Sequence, residues 1–256
     1  ESPPANLAEA EAGPRFDLQG HRGARGREPE NTLPAFEYAL RTGVTTLEMD
    51  LQVTADGVVV VHHDPRLDPA RTRGPDGDWI ADPGPPIGRL SFAELQRYGV
   101  GSAKPGSRVA ERFPEQRRRD GVPVPSLEQV FALAEDASGG TIRYNLEIKL
   151  TPERAPGVPA PEAFVAAVLE VIRAAGIEDR TTIQSFDWRP LKVVRKEAPE
   201  IARAYLTAQR DWLNNVRIGR PGASPWLAGL DADAHGASVP RTVAAAEQGE
   251  AAEYTA

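Results

Sequence analysis

Apolar positions along this chain fall into two alternating rhythms. Short runs rich in β-branched residues at 45–53, 58–63, 141–149, 181–186 and 201–206 predict strands. Stretches with apolar residues every three or four positions, at 126–137, 161–175 and 188–198, predict helices between them. Phe16 to Gly20 reads as a further short strand, followed by a helix that starts at Asn31-Thr32-Leu33-Pro34. Thr32 is its candidate N-cap, and Ala35, Phe36, Ala39 and Leu40 form its apolar side. Ala55-Asp56-Gly57 is a turn, and Val58-Val59-Val60-Val61 reads as a strand covered on both faces.

Repeated β-then-α segments argue for a parallel sheet, and their number favours a (β/α)8 barrel over an open one. Residues 64–125 interrupt the rhythm with Pro, Gly, Arg and Asp, and hold one clear helix near Ser91–Arg97. They read as an insertion after the third strand. The pattern weakens past residue 207, where Trp226–Leu230 is a candidate seventh strand and Val243–Ala256 a candidate helix. Six strands are convincing, and the last one or two of a closed barrel are not evident. Residues 16–256 are thus expected to form a single barrel domain. The Pro/Ala/Glu-rich residues 1–15 read as a disordered leader, of the kind left after a signal peptide is removed. That favours an exported protein, although a chain with no cysteine fits either side of a membrane.

The strand at 45–53 contains an anomaly. Glu48 and Asp50 stand two apart, so both carboxylates emerge from one face of a buried strand. Two such anions repel and are costly to desolvate, which makes a bound cation the natural reason to keep them. The strand at 141–149 repeats the motif with Glu147 and Lys149. Catalytic groups of a parallel barrel gather at the C-terminal ends of its strands. Reading those ends adds His21-Arg22, His62-His63-Asp64 and Gln184-Ser185-Phe186. All-oxygen ligation by Glu48, Asp50 and Glu147 points to Ca²⁺ or Mg²⁺. The alternative is a structural salt-bridge network with Arg22 and Lys149. Basic groups beside a metal suit a phosphate, and two imidazoles suit acid–base cleavage of a phosphate ester. Only one of the adjacent His62 and His63 is expected to reach the site.

Composition narrows the partners. The net charge of −7 disfavours nucleic acid, and Arg117-Arg118-Arg119 reads as a solvated loop. No run reaches the roughly 18–20 apolar residues of a membrane span. Zero cysteines exclude a disulfide scaffold and a thiolate centre.

His21-Arg22-Gly23, Pro29-Glu30-Asn31-Thr32, Glu48-Met49-Asp50 with Thr54-Ala55-Asp56-Gly57, and His63-Asp64 together resemble the glycerophosphodiester phosphodiesterase family. Asn145-Leu146-Glu147-Ile148-Lys149 and Gln184-Ser185-Phe186-Asp187 extend the resemblance over residues 17–206. It implies a TIM barrel with the 64–125 insertion, and one divalent cation on Glu48, Asp50 and Glu147. It implies His21 and His63 as the catalytic pair, which selects His63 over His62, with Arg22 and Lys149 on the phosphate. Glu30, Asn31, Gln184 and Ser185 would support these groups. The implied reaction takes a small glycerophosphodiester to sn-glycerol 3-phosphate and an alcohol. The chain departs from the family in lacking its closing strand, of which Val239-Pro240-Arg241-Thr242-Val243 is a faint echo. Two other readings stay open: a phospholipase D-like or lysophospholipid-cleaving relative, and an inactive truncated barrel that binds metal or ligand.

Overall fold

The computed structural model describes residues 16–249 apart from Arg154; the expected leader at 1–15 lies outside them. A first strand, β1 (Gln19–His21), leads to helix α1 (Leu33–Thr42). Thr32 caps α1 as expected, accepting from the Ala35 N–H, and Gly43 ends it at φ 87°. Strand β2 (Thr46–Val53) lies in the interior of the sheet and is buried at every position.

The turn at Ala55–Gly57 sends the next strand, β3 (Val59–Val61), back antiparallel along β2, pairing Leu51 with Val61 and Val53 with Val59. This corrects the expectation of a third parallel barrel strand. A run of valines encodes burial on both faces but not direction. The insertion follows with two short helices, α2 (Phe92–Leu95) and α3 (Arg108–Arg112). It carries its own small core of Val60, Leu67, Ile87, Leu95, Val100 and Val124, with Val60 supplied by β3.

The β/α alternation then resumes as α4 (Leu127–Ser138), β4 (Arg143–Ile148), α5 (Pro161–Ala175), β5 (Thr181–Ser185), α6 (Trp188–Glu197) and β6 (Ala202–Tyr205). The parallel strands are ordered β1-β2-β4-β5-β6, so among the described residues they do not close into a ring. A two-stranded hairpin, β7 (Gln209–Arg210) with β8 (Leu213–Asn214), and helix α7 (Val239–Gln248) complete the chain. One weaker strand expectation fails here. Trp226–Leu230 falls on a single 3₁₀ turn at Pro225–Leu227, where Pro225 lacks the N–H a ladder needs. Val239–Val243 opens α7, with Pro240 in its first turn where a missing N–H costs nothing.

Alternation along the strands divides the sheet into an apolar and a polar face. Leu47, Met49, Leu51, Leu146, Ile148 and Ile183 pack with Phe36 of α1, Phe131 of α4, Phe164 and Leu169 of α5, and Leu191 of α6. The positions between them, Glu48, Asp50, Gln52, Asn145, Glu147 and Gln184, are buried polar residues. Register then sets their neighbours: His21 pairs with Glu48, Asp50 with Glu147, and Glu147 with Gln184. No helix among the described residues is long and apolar enough to cross a membrane.

Candidate active site

The loop after β1 is built for close approach. A Cβ on Gly20 would sit 2.7 Å from the Gly23 carbonyl oxygen. One on Gly23, at φ +79°, would meet the Ala35 carbonyl carbon at 2.7 Å. Arg22 and Asn31 also take left-handed backbone, at φ 54° and 56°, a conformation that costs a non-glycine residue and tends to persist at functional sites. Gly23→Ala should therefore destabilise the fold by roughly 2–4 kcal/mol, from left-handed strain plus overpacking. A thermal melt unchanged within error would contradict that reading of the loop.

Three carboxylates meet on the polar face of the sheet. Glu48, Asp50 and Glu147 each offer an oxygen within 4.8 Å of the others, and all three are buried. Glu48 accepts from the Arg22 N–H at 2.9 Å and from Gln184 Nε2 at 3.0 Å. Asp50 accepts from Asn31 Nδ2 at 2.8 Å and lies 3.1 Å from Arg22 Nε. Glu147 accepts from Lys149 Nζ at 2.8 Å, and the same ammonium is 3.7 Å from Asp50.

Even so, the acids outnumber the charge that balances them. Burial and the nearby Asp50 push Glu48 up to about 8, and burial also raises Glu147 despite Lys149. Burial works against Asp50 as well, but Arg22, His63 and Lys149 outweigh it and hold its carboxyl down. Asp50 Oδ1 is buried with no hydrogen-bond partner among the described residues. An orphaned carboxylate oxygen in an all-oxygen cluster fits a hard divalent cation.

The two expected histidines arrive from different elements. His21 extends β1, and its Nε2 stands 3.8 Å from Glu48. Burial, with Arg25 and Arg22 close by, lowers its pKa to about 4. His63 follows β3, where the His62 N–H donates to the Asp50 carbonyl at 2.9 Å and sets the segment beside the acids. His63 Nδ1 is 2.7 Å from Asp64 Oδ1, which leaves Nε2 as its open nitrogen. Burial would raise Asp64, yet its hydrogen bond with His63 keeps it well below the usual carboxylate range. His62 instead engages the Asp64 carbonyl through Nδ1 at 2.8 Å.

Of the expected supports, Glu30 anchors Arg22 at 2.8 Å and also pairs with Arg71. Asn31 and Gln184 reach the acids directly. Ser185 does not: its hydroxyl donates to the Ile148 carbonyl at 2.8 Å and accepts from the Asp187 N–H, joining β4 to the turn after β5. Sequence reasoning left two features unread. Arg117 and Arg119 hold a fully buried Glu28 at 3.2 and 2.9 Å, and no local pattern marks a partner so far along the chain. The second feature is a cleft of about 820 Å³ that opens beside His21, His63, Glu147 and Lys149. Its far wall includes Leu150, Phe186, Leu213, Trp226 and an exposed Trp212, whose ring meets Phe186 edge-on at 6.4 Å.

The model of the Glycerophosphoryl diester phosphodiesterase family matches residues 21–248. The chain belongs to this family. It is 35% identical over 187 residues to the glycerophosphodiester phosphodiesterase of Bacillus altitudinis, covering 73% of this chain and 64% of that one. It thus spans a little under two thirds of the length of that relative. A solved structure from Silicibacter pomeroyi DSS-3 that bears the glycerophosphoryl diester phosphodiesterase name is 36% identical. It superposes with a TM-score of 0.71 over 77% of this chain and 67% of its own. An Oleispira antarctica phosphodiesterase, solved with the product sn-glycerol-3-phosphate, is 25% identical. Its TM-score is 0.57, over 77% of this chain and 68% of its own. The β/α run in this family member is that of an incomplete TIM barrel.

Proposed function

We propose that this chain hydrolyses glycerophosphodiesters to sn-glycerol 3-phosphate and an alcohol. The observation that carries the reading is the meeting of three buried carboxylates with two histidines, Arg22 and Lys149 at one end of the cleft. Glu48, Asp50 and Glu147 would hold one divalent cation, Ca²⁺ or Mg²⁺. When bound, the ion draws charge from the phosphoryl oxygens and so favours attack at phosphorus.

The protein's own groups then act as follows. Arg22 and Lys149 bind the non-bridging oxygens of the diester, and their ion pairs with Glu30 and Glu147 hold them in place. One imidazole of the His21 and His63 pair takes the proton of the attacking oxygen as its bond to phosphorus forms. The other gives a proton to the alcohol oxygen as the ester bond breaks. Asp64 fixes His63 with Nε2 free for that transfer.

Release of sn-glycerol 3-phosphate from glycerophosphocholine, glycerophosphoethanolamine and glycerophosphoglycerol tests the proposal. Turnover is expected with Ca²⁺ or Mg²⁺ and is lost in EDTA, with recovery on adding the ion back. The same ion at about 100 times its Kd should stabilise the fold by about 2.7 kcal/mol, seen as a rise in Tm. No turnover of any of the three with either ion would sink the proposal.

A further inference from the structure

Several arginines of this fold are held by carboxylates. Arg22 has Glu30 and Asp50, Arg71 has Glu30 and Asp68, and Arg180 has Glu135. Two arginines that line the cleft differ. Arg25, on the loop after β1, and Arg112, at the end of α3, have no carboxylate partner among the described residues. Both instead set their guanidinium groups against the ring of Phe113, at 5.3 and 5.4 Å from its centroid. A ring face positions a cation without neutralising it. Burial, and the like charges of Arg22 and Arg112, depress Arg25 below its ordinary pKa although Glu30 opposes them. Two guanidinium groups from separate parts of the chain are thus gathered around one ring, in the cleft, with positive charge to spare. That arrangement presents positive charge to an anionic ligand entering the cleft.

The scissile phosphate has Arg22 and Lys149, which are held by Glu30 and by Glu147. Arg25 and Arg112 line the same cleft without a carboxylate partner among the described residues and suit a different anion. We propose that this pair binds a second anionic group, a phosphate carried by the alcohol half of the diester, so that the enzyme prefers glycerophosphodiesters whose alcohol bears an extra negative charge. The inference rests on the function proposed above. It extends that function from a reaction to a substrate class, and it makes the 64–125 insertion a source of specificity through Arg112.

Two substrates differing only in that group give the test: glycerophosphoglycerol, and the same diester with a phosphomonoester on its terminal hydroxyl. The full chain, loaded with Ca²⁺ or Mg²⁺, is expected to show kcat/KM at least about tenfold higher for the phosphorylated diester, the size of one charge-assisted contact. Arg112 is exposed on a short helix, so Arg112→Gln should fold normally. It should bring the ratio of the two kcat/KM values towards one, with most of the loss in KM of the phosphorylated substrate. A wild-type ratio near one overturns the proposal, as does an Arg112→Gln enzyme slowed equally on both substrates. Inhibition by inorganic phosphate that Arg112→Gln relieves, without any preference between the diesters, assigns the pair to a free anion and overturns it too. Turnover of neither substrate or of the three simple diesters removes the underlying function instead, so the two failures are distinct.

Discussion

Replacing His63 by Ala is expected to cut turnover of glycerophosphodiesters by roughly 10²–10⁴-fold, the usual contribution of a positioned proton-transfer group. The reason lies in how the ring is held. His63 is only partly buried, and its side chain engages Asp64 through Nδ1 alone. Its removal therefore takes away one hydrogen bond and no core packing, and Tm should fall by only a few degrees. His62 provides an internal control. It is the immediate neighbour, yet its Nδ1 is committed to the Asp64 carbonyl. His62→Ala should retain far more activity than His63→Ala. Equal losses in the two variants would mean that the segment, rather than the His63 imidazole, is what matters. A His63→Ala enzyme with wild-type kcat would remove His63 from the proposed mechanism.

Asp50→Asn is expected to have an effect of similar size for a different reason. Asp50 is fully buried; Asn31 and Arg22 meet its Oδ2, while Oδ1 has only the Lys149 ammonium, at 3.7 Å. Asn keeps the shape and removes the charge. The site then loses the most central of its three anions, and with it most of the attraction for a divalent cation. Since such an ion supplies several kcal/mol of stabilisation to developing phosphoryl charge, turnover should fall by roughly 10²–10⁴-fold. The diagnostic readout is calorimetric or thermal. The variant should no longer gain Tm on addition of Ca²⁺ or Mg²⁺, whereas His63→Ala should still do so. An Asp50→Asn protein that keeps its metal-dependent rise in Tm would place the ion elsewhere. The cost to the apo fold should be moderate, since Arg22 keeps Glu30 and Lys149 keeps Glu147.

Much of this site is visible in the sequence because strand geometry makes it so. Glu48 and Asp50 stand out as acids two apart in an apolar run, and the pleat puts them on one face whatever the surrounding fold. Helix α5 is equally plain: its apolar period and the flanking Pro161 and Gly176 mark both ends. What sequence did not reveal depends on direction or distance. The valines of β3 look the same running either way, and the antiparallel return is what brings His63 level with Asp50. The Trp226 segment has the composition of a strand without a neighbour to pair with, and a 3₁₀ turn satisfies it locally. Arg25 and Arg112 are ordinary surface arginines in sequence. Only the fold places both beside Phe113.

The Glu28 clamp bears on how such a molecule can be altered by exchange of parts. Arg117 and Arg119 come from the far end of the insertion, while Glu28 belongs to the loop that follows His21 and carries Arg22. Gln116 joins the same contact by donating to the carbonyls of Arg25 and Glu28. Grafting a relative's 64–125 segment into this chain would strand a carboxylate in a dry interior unless the graft brought its own cations or Glu28 changed with it. The insertion and the β1 loop are, for any chimaera, a single heritable piece.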